Sequence, residues 1–292
     1  SLRAVIPLLR GRRKVFWIPV RTLELGSNLV AYPPEIIAVA HPEEYLARVL
    51  DEVGGTWTAF VAENLVEGGA TEQAIGAMAR REGSFVATHK GELSPYLPLP
   101  QEWDSLVASK PKKFRYRIRK AQSDLAERPE LVMRWYEGGS DSRELLDHVL
   151  AVESHSWKRD AGMDIERREQ ERLYHELVLH LLSEENMLFS NVLELHGEPV
   201  AFSLGYAWNG VVGQMKTSFD DRFADMSPGF MVMVESIHRA VTLGFREYDF
   251  LGDIMQHKMR WADEARLHSS RFVFSRRPLG FALGMAKRAT LW

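Results

Sequence analysis

With 292 residues, 45% of them hydrophobic and 26% charged, the chain has room for one large or two modest domains and the composition of an ordinary globular protein. Its formal net charge of −3 excludes a chain that is basic throughout, although it leaves room for a local basic patch. The absence of cysteine excludes disulfides, thiol nucleophiles and cysteine-bound metal, and fits a reducing, cytoplasmic compartment. No apolar run approaches the ~20 residues that a membrane-spanning helix needs.

The chain opens Ser1-Leu2-Arg3-Ala4-Val5-Ile6 without a methionine. That reads as the middle of a strand, so the first unit is expected to be truncated. Leu2–Leu9 and Val15–Val20 are apolar runs on either side of Arg10-Gly11-Arg12-Arg13, which predicts a hairpin turning at the basic residues. Pro42 to Val53 has helical spacing, with Tyr45, Leu46, Val49 and Leu50 on one side. A strand at Trp57–Ala62, a helix at Thr71–Arg81 and a strand at Ser84–Thr88 follow. This alternation predicts a layered α/β (α+β) fold. Gly91 to Pro100 carries Pro95, Pro98 and Pro100. It reads equally as an extended linker or as an edge strand crossing between two sheets, and both place a boundary there. The expected division is an N-terminal unit, 1–92, a linker, 93–109, and a C-terminal unit, 110–292.

The second unit opens with a basic helix, Lys110–Leu125. Phe114, Ile118, Ala121 and Leu125 lie on one face, and Lys112, Lys113, Arg115, Arg117, Arg119 and Lys120 crowd the others. A helix over about Ser142–Trp157, with Leu145, Val149 and Val152, and another over about Glu166–Ser183 make three in succession. A meander then runs from Met187–Leu195 through a turn at His196-Gly197-Glu198 to Val200–Trp208, and through Asn209-Gly210 to Val211–Ser218. Asn-Gly tolerates the positive φ that a two-residue hairpin turn requires.

The chemistry concentrates after this hairpin. Ser227 reads as an N-cap, Pro228 as the first helical position, and Gly229 as a place of close approach. Phe230, Val234, Ile237 and Val241 face the core, and Gly244 ends the helix. A helix N-terminus beside a sheet end suits a phosphate; on these residues alone, a well-capped packing helix is the plainer reading. Glu247–Gly252 reads as a strand leaving the sheet at Gly252. Asp249 within it either fixes a loop or orients a substrate amine. Lys258 reads as a solvated lysine or as a partner for an anionic group.

Several alternatives lose support. His148, His155, His175 and His180 lack metal-ligand spacing, so no metal is expected. There is no G-x-S-x-G elbow, no P-loop, and no G-x-G-x-x-G after a strand. The basic helix offers few aromatics, Phe114 and Tyr116, which disfavours nucleic acid, tRNA included. The tail from Phe281 to Trp292 is weakly amphipathic and basic. Packing or fraying is its plainer role, and contact with a membrane surface the alternative.

In order and spacing these pieces resemble the FemAB-like branch of the GNAT acyltransferases, and within it the CelD/BcsL type. Lys112–Gln122 (KKFRYRIRKAQ) is similar to the family's basic R-x-x-L-R-R helix, and His155-Ser156-Trp157 with Gly162 follows it. Gly197–Phe202 is similar to its G-x-x-V-A hairpin. Ser227-Pro228-Gly229 and Asp249–Gly252 come next, and Lys258 with Trp261 resembles Y-K-x-x-W, with His257 in place of the tyrosine.

The resemblance implies two GNAT-like units in tandem, each a mixed, mostly antiparallel sheet flanked by helices. It also implies an acyl-donor groove in the second. A splayed strand pair would grip the pantetheine arm and a loop-to-helix start would bind the pyrophosphate. These map to Val211–Ser218, Phe219–Gly229 and Glu247–Gly252. The implied donor-binding residues are Lys216, Thr217, Ser218, Ser227, Pro228, Gly229, Phe230 and Gly252, with Asp249 and Lys258 as the catalytic pair. The family's phosphate loop, Q/R-x-x-G-x-G/A, is absent, and Asp221–Gly229 reads DRFADMSPG. The expected function is N-acyl transfer from acyl-CoA or from the phosphopantetheine of an acyl carrier protein. The amine acceptor would be a small molecule, glycan or lipid, in polysaccharide, lipid or envelope biosynthesis, with the inner membrane surface as one place of work. Alternatives are a transferase that uses aminoacyl-tRNA and a non-catalytic binding module, the latter predicting unsplayed strands after Gly210.

Overall fold

The computed structural model describes residues 2–26, 35–53, 57–160, 162, 165–252 and 254–289. In chain order the elements are β1 (Ala4–Val5), β2 (Leu8–Val15), β3 (Ile18–Leu25), β4 (Ile37–Ala38), α1 (Pro42–Glu52), β5 (Ala59–Val66), α2 (Ala70–Arg81) and β6 (Phe85–Pro98). Then come α3 (Trp103–Ser109), α4 (Lys112–Glu127), β7 (Leu131–Gly138), α5 (Ser142–Glu153), α6 (Trp157–Asp160) and α7 (Glu169–Glu184). The meander is β8 (Leu188–Leu195), β9 (Glu198–Trp208) and β10 (Val211–Phe219). A 3-10 turn (Asp221–Met226) leads into α8 (Pro228–Thr242), β11 (Glu247–Asp249), α9 (Gln256–Met259), β12 (Glu264–Phe274) and α10 (Pro278–Ala289). No helix of the described residues is long and apolar enough to cross a membrane, and no group of side chains among them could hold a metal ion.

The described residues group into two compact units, one from 2–94, 252–254 and 265–289, the other from 95–251 and 255–264. In the first, β2 and β3 form an antiparallel hairpin, β3 runs parallel to β5, and β12 pairs antiparallel with β5. Leu23, Leu46, Phe60, Leu65, Ile75 and Val273 are buried where α1 and α2 cover this sheet. In the second, β7 to β10 are successive antiparallel neighbours, and β10 runs parallel to β11. β11 also pairs antiparallel with Tyr96–Pro98 of β6. Both units therefore contain the order hairpin, helix, parallel strand: β2–β3–α1–β5 and β9–β10–α8–β11.

Strand β8 is buried on both faces because helices cover both. Phe189 and Leu193 join the core under α4 and α8, and Leu188 and Val192 join the core under α5 and α7. A fold with a mixed sheet between helical layers, as expected from the α/β alternation, results.

Several local expectations are corrected. The basic stretch Arg10–Arg13 is strand, and the hairpin turns at Phe16-Trp17. Arg10, Arg12 and Lys14 alternate outward, while Arg13 on the opposite face forks to Glu24 and Glu63 at 2.7 Å, so the charges are compatible with a β-ladder. Gly91–Pro98 continues β6, and 103–109 is helix α3, so 93–109 is not a linker. The helices of the second unit are not consecutive, because β7 intervenes after α4. Residues 265–289 leave the C-terminal division expected for them and join the first unit, because β12 finds its antiparallel partner in β5. The expectations for Ser1 and for the tail's last three residues lie outside the described residues.

His268 on β12 is buried, and its pKa is pushed down to about 4, first by burial and then by the charge of Arg266. The unfolded chain takes up this proton near pH 6.5, and the native state does not until about pH 4. Stability should therefore fall as pH drops through that window. Thermal melts across it should show a slope that His268→Gln reduces; an unchanged slope would remove His268 as its source.

Candidate functional site

The parallel pairing of β10 with β11 covers Val211↔Glu247, Val212↔Tyr248 and Gly213↔Asp249. β11 ends there, whereas β10 continues to Phe219 with β9 still beside it, up to Phe219↔Ala201. The register of β10 on β9 shifts between Gln214 and Lys216, so Met215 is the extra residue of a bulge. Among the described residues, β10 thus has a strand on one side only from Gln214 onwards, and its other edge offers backbone groups to an extended ligand. The last paired position is glycine for a steric reason, since a Cβ at Gly213 would lie 2.4 Å from the Tyr206 ring.

Past β11 the chain turns at Leu251, whose φ is 45°. Such a conformation costs a leucine of order 1 kcal/mol and needs support from its surroundings. Asp249 Oδ1 accepts a hydrogen bond from Leu251 N at 2.9 Å, and Lys258 Nζ donates to Leu251 O. The two residues expected to be catalytic meet on this corner and hold it.

Between the parted strands lies a cavity of about 600 Å3, lined entirely by the second unit. β10 contributes Gln214 to Phe219, the start of α8 contributes Ser227, Gly229 and Phe230, and α4 contributes Phe114 and Arg117. Phe250, Met255, His257, Lys258, Arg260 and Trp261 form much of the remaining wall. Trp261 is buried, with its ring centroid 4.9 Å from Phe114 and 6.1 Å from Phe230. The Arg117 guanidinium lies 4.4 Å from the Phe230 ring centre. Arg117, Lys216, Lys258 and Arg260 bring positive charge, and no described residue lining the cavity is a carboxylate.

Lys216 is anchored from behind. Its Nζ lies 3.0 Å from buried Glu153, which also accepts from Ile165 N. Thr217 Oγ1 donates to Phe202 O. Ser218 Oγ is buried without a hydrogen-bond partner among the described residues, which is costly unless a ligand supplies one. His257 is held below the ordinary histidine pKa, first by burial, then by the charges of Lys258 and Arg260.

The approach to α8 replaces a glycine-rich loop with a side-chain-braced turn. Asp220, 1% exposed, accepts from Arg222 N at 2.9 Å and holds the Arg222 guanidinium at 2.6–3.1 Å. Ser227 occupies the N-cap position of α8, as expected, but not in the usual capping geometry. It adopts a left-handed conformation, φ 55°, and its side chain caps nothing. Pro228 has no N–H, and the amides of Phe230 and Met231 donate to Ser227 O. Among the described residues, no backbone carbonyl accepts from Gly229 N. A Cβ at Gly229 would come within 3.0 Å of the Phe219 ring, so the glycine sets how closely α8 approaches β10.

Of the residues singled out from the sequence, Lys216, Thr217, Ser218, Ser227, Gly229, Phe230 and Lys258 line this cavity. Pro228 lies at the helix start outside its lining, Asp249 behind the Leu251 corner, and Gly252, with φ 65°, among the residues grouped with the first unit. Phe230, expected in the core, is a half-buried wall residue. Sequence reasoning missed Gln214, His257 and Arg260 as wall residues. It treated Phe114 and Arg117 as packing and charge on a helix, although a phenylalanine and an arginine three positions apart already lie near a shared edge of one helix.

The acetyltransferase (GNAT) domain family matches residues 112–259. No curated protein matches the chain. Among solved structures, FemX is similar at a TM-score of 0.62 and 12% identity, over 97% of this chain and 88% of that one. The C-terminal domain of a putative lysylphosphatidylglycerol synthetase from Agrobacterium fabrum is similar at 0.60 and 9%, over 99% and 85%. L-PGS from Bacillus licheniformis is similar at 0.53 and 11%, over 92% and 85%. These likenesses speak to the fold, and none singles out the CelD/BcsL type. The matched segment contains the splayed strands, the α8 start and His257, and with it the chain belongs to the GNAT acetyltransferase-domain family.

Proposed function

We propose that the second unit is an N-acyltransferase that takes its acyl group from a phosphate-bearing thioester carrier, acyl-CoA before an acyl carrier protein. The observation that carries this reading is the parting of β10 from β11 over a cavity that has four cations and no carboxylate among its described lining residues. The edge of β10 offers backbone groups to the amides of a pantetheine arm, and Arg117 and Arg260 supply charge for its phosphates. Lys216 and Ser218 form the polar wall along the arm, and Gly229 lets the chain of the carrier lie close to α8. The acceptor is an amine whose nitrogen attacks the thioester carbonyl. Backbone amides at the Met215 bulge stabilise the oxyanion, His257 takes the proton from nitrogen, and collapse expels the thiolate, which is then protonated. Asp249 and Lys258 act as positioning residues through Leu251. Calorimetry with CoA and acetyl-CoA tests the donor, and absence of heat at millimolar ligand would overturn it.

His257 gives a kinetic test. Because its pKa is held below the ordinary histidine value, the rate should rise with pH through that lowered pKa. His257→Gln should lower kcat roughly a hundredfold, remove that acid limb and leave donor affinity nearly unchanged. An unaltered pH profile would assign the proton to another group.

A second reading, transfer from aminoacyl-tRNA, draws on Lys112, Lys113 and Arg119, exposed along α4, and on the lysylphosphatidylglycerol synthetases among its structural neighbours. It predicts salt-sensitive tRNA binding that Lys112→Gln with Lys113→Gln weakens, and no response to CoA.

A further inference from the structure

The turn of the β2–β3 hairpin is made by Phe16 and Trp17, with φ of 47° and 68°. Two-residue turns of this kind favour Asn-Gly, because a bulky L-residue at positive φ is sterically strained. This chain places two large aromatic residues there and leaves them in solvent, with Trp17 88% exposed and Ile18 beside them 43%. Local stability does not account for that choice.

The outward side of α10 is equally unusual. Leu279, Phe281 and Met285 are about half exposed, while Leu283 is buried against the unit. The two features are neighbours: Lys287 Nζ of α10 lies 5.5 Å from the Phe16 ring centre, and Arg21 of β3 lines a shallow pocket together with Leu279. Exposed Arg10, Arg12 and Lys14 flank the turn on one side of β2, and Arg12 is directly opposite Arg21. Like charges facing each other across strands destabilise a hairpin.

The charge is segregated in the sequence as well. Residues 1–23 and 265–292 hold twelve of the 37 basic residues and none of the 40 acidic ones, in a chain of net charge −3. Both segments contribute to the first unit.

We propose that this surface docks the first unit on an anionic bilayer, with Phe16, Trp17 and the outer side of α10 in the headgroup–acyl boundary and the arginines against anionic headgroups. An aromatic tip and an apolar helix side next to a row of exposed cations are the features of an interfacial anchor. A second copy of the chain would bring cations against cations. RNA would leave the aliphatic groups Ile18, Leu279 and Met285 without a stacking role. The proposal stands apart from the acyl-transfer reading.

Vesicle cosedimentation of the whole chain tests it, using phosphatidylcholine with and without phosphatidylglycerol. Binding is expected only with phosphatidylglycerol and should weaken as salt is raised. Arg12→Gln with Arg21→Gln should lower partitioning about thirtyfold, at roughly 1 kcal/mol per cation removed. Phe16→Asn with Trp17→Gly installs the favoured turn. It should raise the melting temperature by a few degrees, roughly 2–4 °C, while lowering partitioning at least about tenfold. A merely structural turn would not separate those two readouts. Equal binding to both vesicle types, no binding to either, or capture of RNA in place of vesicles would each overturn the proposal.

Discussion

Trp261→Ala should lower stability by about 3–5 kcal/mol, the range for emptying a buried tryptophan site, and the melting temperature of the second unit by roughly 10 °C. Trp261 is 1% exposed and packs against Phe114, Phe230 and Trp103. Its backbone oxygen accepts from the ammonium of Lys110, a buried lysine whose other partner is Asp263 at 2.9 Å. The substitution removes the ring that joins α3, α4 and α8 to the segment after β11, and it loosens the seat of a buried charge. Trp261→Phe, which keeps an aromatic ring there, should cost less than about 2 kcal/mol. Melts of the two variants check this: a drop for alanine no larger than for phenylalanine would mean that the ring only borders the cavity. The lysine and tryptophan three positions apart, which carried part of the family resemblance, thus act first on architecture. Lys258 holds the Leu251 corner, and Trp261 holds the wall behind it.

The sequence was most legible where one physical signal dominated. Asn209-Gly210 located the hairpin of the second unit because few other pairs accept both positive φ values, and both are observed, 48° and 77°. Pro228 and Gly244 bracketed α8 in the same way. Phe16-Trp17 breaks this logic, since aromatic residues mask a tight turn and the basic residues before it resemble a loop. Strand β7 was hidden because Arg134 and Glu137 interrupt its apolar alternation. Its charges are satisfied by partners far along the chain, Arg134 by Glu194 and Glu137 by Arg239. The place of residues 265–289 is not legible because strand partnership over more than two hundred residues, β5 with β12, leaves no local trace. For the site, the strand and helix carrying the cavity walls were legible. The role of Asp249 was not, because an aspartate that fixes a turn and one that orients a substrate look alike until Leu251 N is seen 2.9 Å from its Oδ1.

Removing the two arginines that face the cavity should be the most damaging change for donor binding. Arg117→Gln with Arg260→Gln should raise the Kd for acetyl-CoA by about two orders of magnitude, some 2.7 kcal/mol, which asks roughly 1.4 kcal/mol of each charge-assisted contact. Neither change is expected to unfold the chain. Arg260 is exposed, and Arg117 rests on the Phe230 ring, where glutamine can lie in its place. Lys216 is unsuited to this test, because its removal would strand the buried carboxylate of Glu153 and mix stability with binding. The result also separates donor classes. If the arginines meet the phosphates of CoA, affinity for pantetheine without its nucleotide should be weak in the parent and indifferent to the double substitution. Calorimetry with both ligands decides this. Equal losses for the two would place the arginines against the arm, and unchanged affinity for acetyl-CoA would move the phosphate site away from the cavity altogether.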